Sequence, residues 1–352
     1  MGVLRIILTG VGAPGIKGTY FSLKNNFDSR EVFILGTDVN DSVVGKYLCD
    51  NFKVVPLAVN AKEYLDAMLK LCDEFKINVL IPQNTAELLL LSENKALFEA
   101  LGTKVLVSNQ KSIECTNNKY EFLKMCRNIS LPVPEFYLAN NISDLTKYAE
   151  LLGWPQKRVV VKPPISNGSR GVRIIDENIN LKNAFYNEKP SSLITKMTTL
   201  ISILGTEFPD LIVSEYLPGT EYTVDSLRTN SLNIAIPRKR DLIRSGITFN
   251  GSLEKHNDII LQSTKISEAA NLEFCFGFQF KESCEGVHKV LECNPRIQGT
   301  MVLSTIAGAN LIYGAIKYLI GEGSSSFEID WNAQLLRYWG GIGLSNNKVI
   351  IM

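Results

Sequence analysis

Through the first hundred residues, short apolar runs alternate with amphipathic stretches. Val3–Leu8, Glu31–Gly36, Phe52–Pro56 and Asn78–Ile81 read as strands, and Lys104–Val107 adds a fifth. Between them, Ala61–Phe75 carries Tyr64, Leu65, Met68, Leu71 and Cys72 on one helical stripe. Strands that are apolar on both faces, separated by helices, predict a parallel sheet covered by helices.

Near residue 115 the texture changes. Asn117-Asn118-Lys119 opens a helix to about Arg127, closed by the turn Leu131-Pro132-Val133-Pro134. Beyond it the expected strands are mostly antiparallel: Arg158–Lys162, Gly171–Ile175, Leu211–Tyr216, Glu221–Leu227, Leu232–Pro237, Glu273–Lys281 and Val287–Cys293. Helices are expected over Leu181–Glu188, Pro190–Leu204, Ser263–Glu273 and Thr300–Leu319. A parallel α/β domain followed by a larger α+β body is the predicted architecture.

Composition narrows the function classes. The 352 residues hold 37 basic and 36 acidic side chains, a net charge of +1, which argues against a nucleic-acid or anionic-lipid surface but leaves room for a local phosphate pocket. Seven scattered cysteines without C-x-x-C spacing speak against a zinc or dithiol centre and fit reduced thiols in the cytoplasm. Only His256 and His288 are available for imidazole chemistry. The opening MGVLRIILTG reads as a first strand rather than a cleavable signal. Val302–Ile320 approaches membrane length, but Asn310, Lys317 and two glycines make it a buried helix.

Four segments carry candidate chemistry. Thr9-Gly10-Val11-Gly12-Ala13-Pro14-Gly15, with Asp38 ending the next strand, approaches a dinucleotide fingerprint; a turn that merely needs small residues and an anion held at the helix end are the other readings. Val159–Pro164 is a strand ending in Lys162, followed by the loop Ser166-Asn167-Gly168-Ser169-Arg170-Gly171, able to wrap phosphate with backbone N–H groups. In Ser214-Glu215-Tyr216-Leu217-Pro218-Gly219-Thr220-Glu221, Glu215 and the Leu217 backbone offer what an adenine needs, and Glu221 what a ribose needs. The last is Phe278–Lys281 with Val290–Arg296. Alternation puts Glu292 and Asn294 on one strand face, and a four-residue loop would set Gln279 opposite Glu292. Three oxygen donors suit Mg²⁺, and Arg296 adds a fork-shaped donor for charge on a transferring phosphoryl group. A hairpin with a solvated glutamate, and a structural Glu–Arg pair, are the plainer readings of the last two segments.

Glu292-Cys293-Asn294-Pro295-Arg296 resembles the E-x-N-P-R metal strand of the ATP-grasp superfamily. The order of the other motifs is similar too: Asn118-Lys119, the turn at 132–134, V-V-V-K-P at 159–163, S-E-Y-L-P-G at 214–219 and Q-F-K at 279–281. The resemblance implies a Rossmann-like pre-ATP-grasp domain at 1–114, a small ATP-grasp subdomain with a glycine-rich lid at about 115–210, and a large subdomain with a Mg-binding hairpin at 211–352. It implies ATP contacts from Lys119, Lys162, Ser166, Gly168, Ser169, Gly171, Glu215, Tyr216, Leu217 and Glu221. It gives the Mg²⁺ ligands as Gln279, Glu292 and Asn294, and catalytic roles to Arg296 and Lys162. Gln279 and the run Arg238-Lys239-Arg240…Arg244-Ser245-Gly246 most resemble carbamoyl phosphate synthase halves, although a single unit excludes a complete synthase.

The expected activity is ATP-dependent activation of a small-molecule carboxylate as an acyl phosphate and its joining to an amine. A kinase stopping at an acyl or carbamoyl phosphate, a non-turning ATP-binding subunit and a nucleotide-dependent dehydrogenase are the alternatives. No nucleic-acid or membrane partner is expected, and the resemblance leaves a homodimer open. Selectivity is expected in the loop at 10–15, the segment Arg238–Gly251 and the segment Trp331–Gly343.

Overall fold

The computed structural model describes residues 2–166, 168–187, 191–244, 246–323, 325–345 and 348–351. Asn167, Glu188, Pro190 and Ser245, named above, lie outside them. The chain gathers into two compact units, one of Met1–Asn117, Tyr222–Gln279 and Cys293–Met352, the other of Asn118–Glu221 and Phe280–Glu292.

In the first unit, β1 (Leu4–Thr9), β2 (Val32–Asp38), β3 (Asn51–Val54), β4 (Val79–Ile81) and β5 (Lys104–Val105) form a five-stranded sheet in the order β3-β2-β1-β4-β5. All its pairings are parallel, with Ile6 aligned to Ile34 and to Val79. Ile7, Leu35, Leu80 and Val105 bury one face against Tyr64, Met68, Leu71 and Cys72 of the helix Ala61–Glu74. The opposite face, with Leu4, Ile6, Ile34 and Val79, shares a core with Ile16 and Leu23 of the helix Ile16–Lys24 and with the helix Leu311–Leu319. Apolar residues on both faces are what a covered parallel sheet demands.

The second unit carries β6 (Phe136–Asn141), β7 (Val159–Lys162), β8 (Arg173–Ile175), β9 (Ile194–Thr195) and β10 (Glu207–Glu215), ordered β6-β10-β7-β8-β9. Pairing is antiparallel except between β8 and β9. A third sheet runs β15-β14-β11-β12-β13-β16, from β11 (Glu221–Arg228), β12 (Asn233–Arg244), β13 (Ile247–Leu253), β14 (Phe274–Glu282), β15 (His288–Asn294) and β16 (Gln334–Leu336). A hairpin of β17 (Ile342–Ser345) and β18 (Lys348–Ile351) follows.

Three expected helices are redrawn. Within Pro190–Leu204, β-branched Ile194 and Thr195 are a strand beside Ile174 and Ile175, and the helix is only Met197–Leu204. The helix expected from Ser263 starts at Asn257, behind the extended His256, and stops at Ala269, because Asn271 turns left-handed (φ 46°). Thr300–Leu319 is two helices, Val302–Ile306 and Leu311–Leu319. Gly308 (φ 92°) ends the first, and the Asn310 side chain accepts the Tyr313 N–H to start the second. Among the described residues no helix is long and apolar enough to cross a membrane.

Candidate functional site

The amino-terminal glycine loop is explained by packing. A Cβ on Gly15 would stand 2.4 Å from the Gly299 Cα, and one on Gly10 2.3 Å from the Asn84 amide nitrogen. The Gly12 N–H donates to Asp38 Oδ2 at 2.8 Å. The acid that a dinucleotide reading assigns to a ribose therefore closes its own loop. Beneath it, Glu87 is buried and accepts from the Thr9 and Tyr64 hydroxyls and from the Gln83 and Asn84 N–H groups. Burial raises its pKa despite those donors. Sequence reading passed over Glu87; its only signal was its place three residues after Asn84 in a capping box.

Several residues named for nucleotide binding converge in the second unit. The Asn118 side chain accepts the Tyr120 and Glu121 N–H groups, and so fixes the start of the helix Lys119–Asn128. Lys119, its first residue, is buried; its Nζ donates to the Ser166 carbonyl at 2.7 Å and lies 3.5 Å from Glu292 Oε2. Lys162 ends β7, opposite Ile212 of β10, and is 7% exposed. Its ammonium makes no hydrogen bond or ion pair among the described residues. Burial brings its pKa down to about 8, with Glu292 and Glu221 opposing the shift and Lys119 adding to it. Two cations and two carboxylates thus face one another. The loop behind them has Gly168 (φ 58°) and Ser169 (φ 59°) consecutively left-handed, and Gly171 (φ 75°) leaves no room for a Cβ beside Pro163. Successive backbone N–H groups in such a turn can form an anion-binding concavity.

The adenine candidates lie at the end of β10. Glu215 Oε2 accepts from Lys289 Nζ at 2.7 Å and from the Glu135 N–H at 3.1 Å. Tyr216 has cations on it from Arg158 and Lys281, each 5.6 Å from the ring centroid, and Leu217 is buried. The turn after it is held by Gly219 N–H on the Glu282 carbonyl and Glu282 N–H on the Thr220 carbonyl.

The hairpin β14–β15 is tighter than expected. Ser283 N–H donates to the Val287 carbonyl at 2.9 Å, leaving three residues between them rather than four. Val290 and Cys293 are buried three positions apart, which breaks strict alternation around Leu291 and Glu292. Glu292 and Asn294 remain partly exposed while Cys293 is buried. Arg296 reaches Thr85 Oγ1 at 3.5 Å and the Ile297 carbonyl at 3.0 Å. In the first unit Arg238 of β12, marked in the sequence by its run of cations, clamps Asp225 of β11 and touches Gln298, partners that sequence reading did not give it.

The family model described as ATP-grasp in the biosynthetic pathway with Ter operon matches residues 207–338. A second, PylC-like N-terminal domain, matches residues 6–106. Among solved structures, the chain is similar to N5-carboxyaminoimidazole synthetase from Staphylococcus aureus complexed with ADP, at 17% identity and TM-score 0.65, over 93% of this chain and 80% of that one. It is similar to a biotin carboxylase–ATP complex from Campylobacter jejuni, at 15% and 0.67, over 96% and 78%. It is also similar to L-amino acid ligase from Bacillus licheniformis, at 14% and 0.62, over 91% and 74%. At these identities the likeness is one of fold.

Proposed function

On the premise that this chain is an ATP-grasp protein with a PylC-like amino-terminal domain, we propose that it is an ATP-dependent ligase joining a small carboxylate to an amine. The observation that carries the reading is the buried Lys162 ammonium. It has no protein partner among the described residues, yet lies in the field of Lys119, Glu292 and Glu221 beside a left-handed loop. A nucleotide polyphosphate would give that cation the counter-charge its burial calls for.

In this reading Lys119 and Lys162 hold the phosphates of ATP, with Ser166, Gly168, Ser169 and Gly171 over them. Glu215, Tyr216 and Leu217 line the adenine and Glu221 the ribose. Gln279, Glu292 and Asn294 would hold Mg²⁺; their oxygen-only donor set, with the Cys293 thiol buried, fits a hard cation. Bound there, it supplies charge neutralisation for the triphosphate. The substrate carboxylate attacks the γ-phosphorus as the bond to the ADP oxygen breaks, giving an acyl phosphate. The amine then attacks the acyl carbon, phosphate leaves with the bonding pair, and the amine loses a proton. Arg296 steadies the developing charge. Positioning and neutralisation are what phosphoryl transfer asks of a protein. The three-part division at about 115 and 210, a cytoplasmic location for the seven free cysteines and a homodimer belong to the same proposal; sedimentation tests the last.

The test is a screen of small acids and amino acids, with and without amines, for ADP release, followed by mass spectrometry of the product. Release that requires both an acid and an amine, with a condensed product, is expected. Release with an acid alone favours the kinase, and Mg-ATP binding without any release sinks the ligase.

A further inference from the structure

In the first unit, the turn between β4 and the helix Thr85–Glu93 is held by a carboxylate that phosphoryl transfer does not use. Glu87 is 2% exposed. Its Oε1 accepts the Thr9 hydroxyl and the Gln83 and Asn84 N–H groups, and its Oε2 accepts the Tyr64 hydroxyl. The end of β1, the helix Ala61–Glu74 and the turn itself therefore meet on one buried anion. Freeing any of these donors would leave a buried polar group unpaired, so the network fixes the turn.

From that turn, consecutive side chains reach different parts of the unit. Gln83 Oε1 accepts the Thr19 hydroxyl at 3.0 Å, which ties in the helix Ile16–Lys24. The Asn84 amide lies so close to Gly10 that a Cβ there would stand 2.3 Å from its nitrogen. Thr85, half-buried, accepts Arg296 Nε on its hydroxyl at 3.5 Å. Arg296 also donates from Nη1 to the Ile297 carbonyl at 3.0 Å. A guanidinium is flat and its donors point only within its plane, so contacts at two nitrogens set where it aims. The Ile297 contact is to the adjoining residue. The Thr85 contact spans 211 positions and is the one the fold supplies.

We propose that Thr85 is a positioning residue for Arg296, its hydroxyl aiming the guanidinium at the charge that builds during acyl phosphate formation, and that Glu87 acts through it by holding the turn. The inference rests on the ligase reading, in which Arg296 steadies that charge. An arginine head on its long stem samples many orientations, and a donor that is already aimed needs no reorganisation when the phosphoryl group moves. Threonine suits the task because its Cβ branch leaves the side chain few rotamers. Its hydroxyl can accept from Arg296 and still donate its own proton. Hydroxyl and shape can be separated: valine keeps the branch without the acceptor, and serine keeps the acceptor without the branch.

The experiment runs the phosphoryl transfer in reverse on the full chain. Mg-ADP with acetyl phosphate or carbamoyl phosphate serves as probe, and ATP formation is followed as the phosphoryl group leaves its acyl oxygen for ADP. In Thr85→Val, kcat should fall about five- to tenfold while KM for Mg-ADP stays within about twofold. Thr85→Ser should keep the wild-type kcat. Both variants should bind Mg-ADP as wild type does, which shows that they are folded. In an Arg296→Lys background Thr85→Val should have no further effect, because the two side chains act as one unit. Full kcat in Thr85→Val, a loss confined to Thr85→Ser, or the same penalty in the Arg296→Lys background would each overturn the role and leave the ligase reading standing. A wild type that forms no ATP from either phosphate would sink that reading, and the role with it.

Discussion

Lys119 Nζ lies 3.5 Å from Glu292 Oε2, joining the start of a helix to the far strand of a hairpin some 170 residues later. It also holds the Ser166 carbonyl at 2.7 Å, so one cation ties the metal-strand candidate to the lid loop. The Glu292 side chain is 24% exposed and the pair is long for an ion pair, an arrangement that leaves the carboxylate available to another cation.

Glu292→Ala should therefore remove activity without removing the fold. ADP release is expected to fall at least about a hundredfold, on the scale of losing a key electrostatic contact at a reacting phosphate. The midpoint of thermal unfolding should move by only a few degrees, about the effect of 1 kcal/mol or less. Wild-type turnover in the purified variant, or a collapsed melting curve, would count against this assignment.

Lys162 makes the affinity for nucleotide pH-dependent. Its pKa in the folded chain is depressed to about 8, so the ammonium is charged below that pH and neutral above it. Phosphate binding favours the charged form, so Mg-ADP affinity should weaken as pH rises from 7 to 9, by at most about tenfold per pH unit for one linked proton. The same shift means that the apo protein gains stability between about pH 8 and the ordinary lysine range, where the unfolded chain still holds the proton and the folded one does not. In Lys162→Met, calorimetric affinity should be low and flat with pH. An unchanged slope in that variant would show that another group is titrating.

Asp225→Asn should be severely destabilising. Arg238 would keep its charge, with 1% exposure and no anionic partner below it. Breaking one side of a buried pair costs about 3–5 kcal/mol. The double variant Asp225→Leu with Arg238→Met should recover much of that loss in urea unfolding, because no charge is then stranded. A loss below about 1 kcal/mol in Asp225→Asn would mean that Arg238 finds another partner.

Gly15→Ala tests the packing account of the amino-terminal loop. The new methyl would meet the Gly299 Cα, a backbone atom that cannot rotate aside, at 2.4 Å. Overpacking of that kind costs about 1–3 kcal/mol, to be read from chemical unfolding. A neutral substitution would return the loop's glycines to a ligand-binding explanation.

The parallel sheet was legible because its evidence is local. Five apolar runs spaced by amphipathic helices leave little choice of architecture, and the helix beginning at Lys119 was marked by its capping asparagine. The lysine, glycine and carboxylate motifs stand out as short runs, but Lys119 and Glu292, 173 positions apart, are brought together only by the fold. Helix limits were less legible. Ile194–Thr195 became a strand only because β8 lay beside it, and Asn310 restarted a helix that apolar content alone had run together.

Whatever depends on side chains from distant strands had to wait for the fold. The length of the β14–β15 turn was settled by a single backbone bond from Ser283 to Val287, and periodicity carries no record of it. Arg238 and Arg337 fall in two segments that the sequence marked separately for selectivity, and Gln298 in none. Only the sheet order β11-β12-β13-β16 and the approach of Gly299 to Gly15 make them neighbours. Sequence by itself determined the kinds of element and the chemistry on offer, because propensity and motif are properties of adjacent residues. Tertiary structure decided which charges are compensated and which donors remain unmatched, because burial and pairing are properties of groups brought together from afar.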